Sequence, residues 1–167
     1  MLGLFDYTVY SFLDLSGAIA HPDLGSFVFT EGGVGQITIA MITDKTFHEI
    51  SVEGVVMIGM IPAHNGKIQI QCQQTSNIHK WLLWAYNTLI LGDTDAWGKM
   101  AATLRNICDG TSHSVNGISF DKIPEKAYGT AGGMVTWTLW AADIQSISPR
   151  PTTAGSNLIN KFKGLLG

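Results

Sequence analysis

Apolar and polar residues alternate along much of the chain, most regularly over Gly66-Lys67-Ile68-Gln69-Ile70-Gln71-Cys72-Gln73. Ile68, Ile70 and Cys72 fall on one face of a strand and Lys67, Gln69, Gln71 and Gln73 on the other, which predicts one dry side and one wet side. The apolar run 55–61 precedes this segment, and Asn65-Gly66 between them predicts a two-residue hairpin turn, with Pro62 marking the frayed end of the first strand. Further strands are expected over 9–15, 36–43, 100–107 and 134–144. Asn116-Gly117 offers a second hairpin turn between Ser114-Val115 and Ile118-Ser119-Phe120. The expected fold is mainly β, a barrel or sandwich of antiparallel strands, with most of the 19 glycines serving as turns and bulges between them.

One segment breaks the alternation. Ser76 is placed to cap a flanking helix over about 76–91, and Gly92 to end it. Ile78, Trp81, Leu82, Ala85 and Leu89 form an apolar stripe at helical spacing, but Leu83, Trp84, Ile90 and Leu91 carry apolar character round to the other side. Such a helix needs two dry neighbours. One is the β core; the other is a second subunit, unless the loop 92–98 folds back over the helix. Leu83, Trp84, Ile90 and Leu91 are therefore candidates for an inter-subunit helix face.

At 167 residues the chain suits one domain, read as 1–150, with a change of composition at Ser148-Pro149-Arg150-Pro151. Beyond it, 151–167 carries Leu158, Ile159, Phe162, Leu165 and Leu166 at helical spacing. This segment is either an arm that docks on a neighbour or a mobile terminus; the cost of leaving those side chains in water favours the arm.

Charged residues make up 14% of the chain, against about 25% in a typical soluble domain, too few to coat a lone monomer comfortably. A membrane span does not explain this, because the longest uncharged stretch, 127–142, is broken by Gly129, Gly132 and Gly133. The N-terminal residues show no basic segment before an apolar run, so a protein made and used in a cytoplasm is expected. The formal net charge of −3 argues against a phosphate-gripping basic surface. Cys72 and Cys108 lack the spacing of a zinc site or a disulfide framework and read as small hydrophobes.

Candidate chemistry fails by inspection. Asp93-Thr94-Asp95-Ala96-Trp97-Gly98 starts like a calcium loop but has Trp97 and Leu104 where oxygen ligands belong. Gly32-Gly33-Val34-Gly35 has Thr38 in place of the third glycine of a dinucleotide fingerprint and leads into a strand. Gly110-Thr111-Ser112-His113-Ser114 lacks the final glycine of a nucleophile elbow. No metal, no cofactor and no catalytic residue is expected.

Gln71-Cys72-Gln73-Gln74-Thr75-Ser76 followed by Lys80-Trp81-Leu82-Leu83, then Lys122-Ile123-Pro124, then Met134-Val135-Thr136-Trp137-Thr138-Leu139-Trp140-Ala141-Ala142-Asp143-Ile144, together resemble the tail tube proteins of contractile-tailed phages. The likeness spans roughly 11–147. It implies a β-barrel-like subunit with one flanking helix, similar to the tube protein of type VI secretion. It further implies homo-hexameric rings stacked into a virion tail tube that carries DNA without specific binding, assembled in the host cytoplasm beside tail sheath, baseplate and tail terminator proteins. On that likeness Lys67, Gln69, Gln71 and Gln73 become candidates for the lumen wall, or else for the face turned to the sheath. A long hairpin from 41 to 58 resembles the inter-ring stacking loop, with Asp44, Lys45, Glu49 and Glu53 as its charged members; the alternative is an ordinary solvated hairpin.

Three other readings remain. A tube protein of a bacterial contractile injection or secretion device would have nearly the same subunit chemistry. A small-ligand-binding β-barrel would need an enclosed apolar cavity. A hydrolase would use Ser112 or Ser114 with a histidine such as His113.

Overall fold

The computed structural model describes residues 10–31, 33–150 and 164–165. The start of the chain before Tyr10 and nearly all of the expected arm after Arg150 lie outside the described residues.

Nine strands and one α-helix follow one another as β1 Leu15–His21, β2 Gly25–Val28, β3 Val34–Met41, β4 Thr46–Ile50, β5 Val56–Met60, β6 Gly66–Gln73, α1 Asn77–Ile90, β7 Met100–Asn106, β8 Ser112–Phe120 and β9 Met134–Ile147. Seven form one antiparallel sheet in the order β2-β1-β7-β8-β9-β6-β3, while β4 and β5 pair only with each other. The large sheet curls into a half-barrel, so the expected mainly β fold with a flanking helix is what the chain adopts.

Alternation places the core. On β6, Ile68, Ile70 and Cys72 are buried, and β9 sends Val135, Trp137 and Leu139 to the same side. Ile78, Leu82, Ala85 and Leu89 of α1 pack on this face. Ser76 caps the helix as its spacing predicts, its hydroxyl accepting from the His79 N–H. An aromatic chain ties helix, loop and sheet together: Tyr86 meets Phe120 at 5.5 Å and Trp97 at 5.9 Å, and Phe120 meets Trp137 at 5.6 Å between ring centroids.

Both expected Asn-Gly hairpin turns are corrected. β5 does not pair with β6; Gly66 instead opens β6 between Met41 of β3 and Ala141 of β9. A side chain at Gly66 would overlap the Ala40 carbonyl and Ile144, so the glycine serves close approach of backbones rather than a turn. Asn116-Gly117 lies inside the continuous strand β8. There Met100 faces Ile118 while Ala102 faces Val115, so β8 carries one extra residue against β7. Gly117 has φ +65°, the left-handed conformation that a glycine bulge requires.

The strand expected over 9–15 is also corrected: Phe12–Asp14 form a 3-10 turn capped by Ser11, and the strand begins only at Leu15. β1 and β2 occupy 15–28, where no strand was expected beyond Leu15.

Candidate assembly surfaces

Three surfaces lie outside the core. The first is the β4–β5 hairpin, whose register runs from Thr46 opposite Met60 to Ile50 opposite Val56. Its turn is closed by the Ser51 N–H donating to the Val55 carbonyl and the Gly54 N–H donating to the Ser51 carbonyl, each at 2.9 Å. No residue of either strand is buried. Ile50, Val56, Ile58 and Met60 share one side and Phe47 and Met57 the other, so both faces present apolar side chains to water. Ile50 and Ile58 are each 71% exposed and Met60 80%. A two-stranded ribbon is marginal on its own, and large exposed apolar patches are in general a mark of interaction surfaces.

The charged candidates on this segment are spread along it. Asp44 and Lys45 stand at the base, Glu49 within β4 and Glu53 at the tip, and none forms an ion pair among the described residues. Lys45 Nζ lies 3.1 Å from His64 Nδ1, which ties the base of the hairpin to the segment leading into β6. Sequence reasoning chose the charges and missed the apolar members. The run 55–61 was visible, but it read as a strand paired with 66–73, whereas β5 pairs with β4.

The second surface is the sheet face opposite α1. Gln36 and Thr38 of β3, Lys67, Gln69 and Gln71 of β6, and Thr136 and Thr138 of β9 stand side by side across three strands; Gln73 continues the row beside Met134. The face extends through Thr103 and Arg105 of β7, Ser112 and Ser114 of β8, and Gln145 of β9. Its charged residues are Lys67, Arg105 and Asp143, so hydroxyls and amides dominate. Lys67 is held rather than free: Nζ lies 4.1 Å from the centroid of Trp140, whose indole N–H donates to Asp121 over 3.0 Å.

The third surface is the outer side of α1. Trp84, Ile90 and Leu91 are exposed, whereas Leu83 is half-buried and packs against the core. The loop after the helix does fold back, but onto Tyr86 through Trp97, leaving Trp84 and Leu91 open.

The remaining candidates for chemistry do not assemble into a site. Among the described residues no group of three or more His, Cys, Asp or Glu side chains converges as metal ligands would. Asp95 is paired with Lys99 at 2.7 Å, which lowers its pKa. Ser112 and Ser114 point to the polar face, while His113 between them points the other way and lies 2.7 Å from Ser146 Oγ. No hydrogen bond joins His113 to a carboxylate among the described residues, so no orienting acid completes a triad there. Cys72 is buried, which raises its thiol pKa. Cys108 is exposed, but its thiol donates to Asp14 over 2.9 Å, and that carboxylate raises its pKa and disfavours the reactive thiolate.

One feature of the core escaped sequence reasoning. His79 is buried and accepts the Trp137 indole N–H on Nδ1 at 3.0 Å, while Nε2 has no partner among the described residues. Burial, with a smaller effect from Lys126, lowers its pKa.

The described residues thus form a curled antiparallel half-barrel with one flanking helix and a projecting hairpin. The fold is shared with solved components of contractile injection systems. One is in the sheath–tube complex of the extracellular contractile injection system PVC (TM-score 0.53, 8% identity, covering 83% of this chain and 91% of that one). Others are in the anti-feeding prophage baseplate (0.53, 6%, 86% and 97%) and in the anti-feeding prophage tube-terminating cap (0.51, 9%, 88% and 96%). Among curated proteins none matches the chain in sequence. The sequence profile described as bacteriophage PhiTE tail tube protein matches residues 7–148, and the chain belongs to that family.

Proposed function

We propose that the chain forms homo-hexameric rings that stack head to tail into the tube of a contractile phage tail, through which DNA passes into the host. The observation that carries this reading is the β4–β5 hairpin, which stands off the core with apolar side chains on both faces. Packing it against a copy in the next ring removes that surface from water, and a head-to-tail contact that does not close on itself makes a filament. Asp44, Lys45, Glu49 and Glu53 would then orient the contact rather than drive it.

The polar face is the candidate lumen wall, with Lys67, Gln69, Gln71 and Gln73 at its centre. Neutral amides and hydroxyls hydrate the wall without holding phosphates, and stacking on Trp140 restrains the one cation in that row. Leu83, Trp84, Ile90 and Leu91 are assigned to contacts between subunits, with the exposed Trp84, Ile90 and Leu91 as the main members. Residues 1–150 act as one domain in this reading. The protein has no enzymatic role, is assembled in the host cytoplasm and resides in the virion beside sheath, baseplate and terminator proteins.

Sedimentation velocity of the hairpin variant Ile50→Asp/Ile58→Asp tests the carrying observation. The reading requires a folded protein that fails to build species larger than single rings; growth indistinguishable from the parent chain would contradict it.

A further inference from the structure

The half-barrel is open along one seam. β3 pairs only with β6, so the backbone groups on its other edge have no partner among the described residues. Across the gap, β2 covers β1 only at Ala18–His21, which leaves Leu15, Ser16 and Gly17 uncovered on that side. Between them lies a cleft of about 440 Å³ whose lining includes Tyr10, Phe12, Leu15, Ile37, Leu104 and His113. An exposed edge beside a partly apolar cleft is a template for an added strand.

We propose that residues 4–9 of one copy add as an extra strand to the free edge of β3 in a neighbouring copy, setting apolar side chains into this cleft. The segment has the right pattern. In Leu4-Phe5-Asp6-Tyr7-Thr8-Val9, the residues Phe5, Tyr7 and Val9 alternate with Asp6 and Thr8, giving an apolar face and, apart from Leu4 at its start, a polar one at period two. It also has the right reach, since a strand advances about 3.3 Å per residue and six residues cover about 20 Å of an edge. The chain enters the fold beside the same seam, because Tyr10 lines the cleft.

Exchange between copies follows from how the chain leaves. Tyr10 is 69% exposed at the rim of the cleft and Leu13 89% exposed, so the chain's own 3-10 turn at Phe12–Asp14, held by the Asp14 N–H to Ser11 carbonyl bond, leaves the cleft open to a neighbour's segment. A neighbour's strand in the seam pairs the free edge and links subunits laterally, a contact separate from the β4–β5 hairpin. The inference rests on the self-assembly reading and specifies which edge is paired and by what.

Site-directed cross-linking of the full chain tests it. In a Cys108→Ser background, a tagged Thr8→Cys protein is mixed with an untagged Gln36→Cys protein and oxidised mildly. The expected product is a disulfide heterodimer of the two. A double variant that forms only an intrachain disulfide would overturn the exchange. Assembly without any Thr8–Gln36 link would overturn the strand addition while leaving the assembly reading intact, and no assembly at all would overturn both. In a second variant, Thr8→Pro removes one strand N–H outside the described fold. It is expected to weaken lateral association roughly tenfold with the unfolding midpoint unchanged; association equal to the parent would contradict the proposal.

Discussion

The ring of Phe47 lies across Gly59 on the facing strand, so that a methyl group on the glycine would overlap three ring carbons. The aromatic ring covers backbone that no side chain at that position could cover, and it stiffens a ribbon that has no core beneath it. Gly59→Val forces the ring away. The expected result is self-association weakened about tenfold or more, with the thermal midpoint of the dissociated subunit changed by no more than about 2 °C, because the hairpin lies outside the core. Calorimetry beside sedimentation checks both parts.

The charged and apolar members of the hairpin separate by salt. Asp44→Lys/Glu53→Lys is expected to slow stacking in a manner that weakens at high ionic strength, since exposed charges are screened over about 10 Å at 0.1 M salt. Ile50→Asp/Ile58→Asp is expected to impair stacking at every salt concentration. Light-scattering growth curves at two ionic strengths distinguish the two.

In the core, the His79–Trp137 hydrogen bond predicts coupling. His79→Leu strands a buried indole N–H and is expected to cost about 1–3 kcal/mol. His79→Leu/Trp137→Phe should cost about 1 kcal/mol less than the sum of its parts, as denaturant unfolding would show.

The same histidine sets a pH dependence. Its pKa is lowered on folding, first by burial and then by Lys126. The stability that it contributes when neutral is therefore complete above its unfolded value of about 6.5 and is lost as pH falls from there through the folded value. The thermal midpoint should drop below about pH 6.5, and less so in His79→Leu.

On the polar face, Gln69→Lys/Gln71→Lys adds two cations per subunit. If this face lines the lumen, DNA release through assembled tails should slow, with the delay relieved by salt. Release at the parent rate would place the face elsewhere.

The fold was legible where physics is local. Strict alternation over 66–73 located β6 and both of its faces, and Ser76 with its apolar stripe located α1. β1 was illegible because Ser16, Gly17, Ala18 and Ala20 give little contrast between its faces. Its small residues have a packing reason: a side chain at Gly17 would overlap the Thr103 carbonyl on β7. Asn-Gly misled twice, because the same dipeptide suits a tight turn, a bulge at Gly117 and a backbone approach at Gly66. The β4–β5 hairpin came from the resemblance alone, since the pattern of residues paired 55–61 with 66–73. The exposure of its valines, isoleucines and methionines was not legible, because sequence alone does not say which apolar residues a fold will leave in water.

The most direct test of the account is negative-stain electron microscopy of the purified protein at increasing concentration. It predicts rings with sixfold end views that lengthen into hollow tubes. A protein that stays monomeric throughout, with its β4–β5 hairpin in solvent, would contradict it.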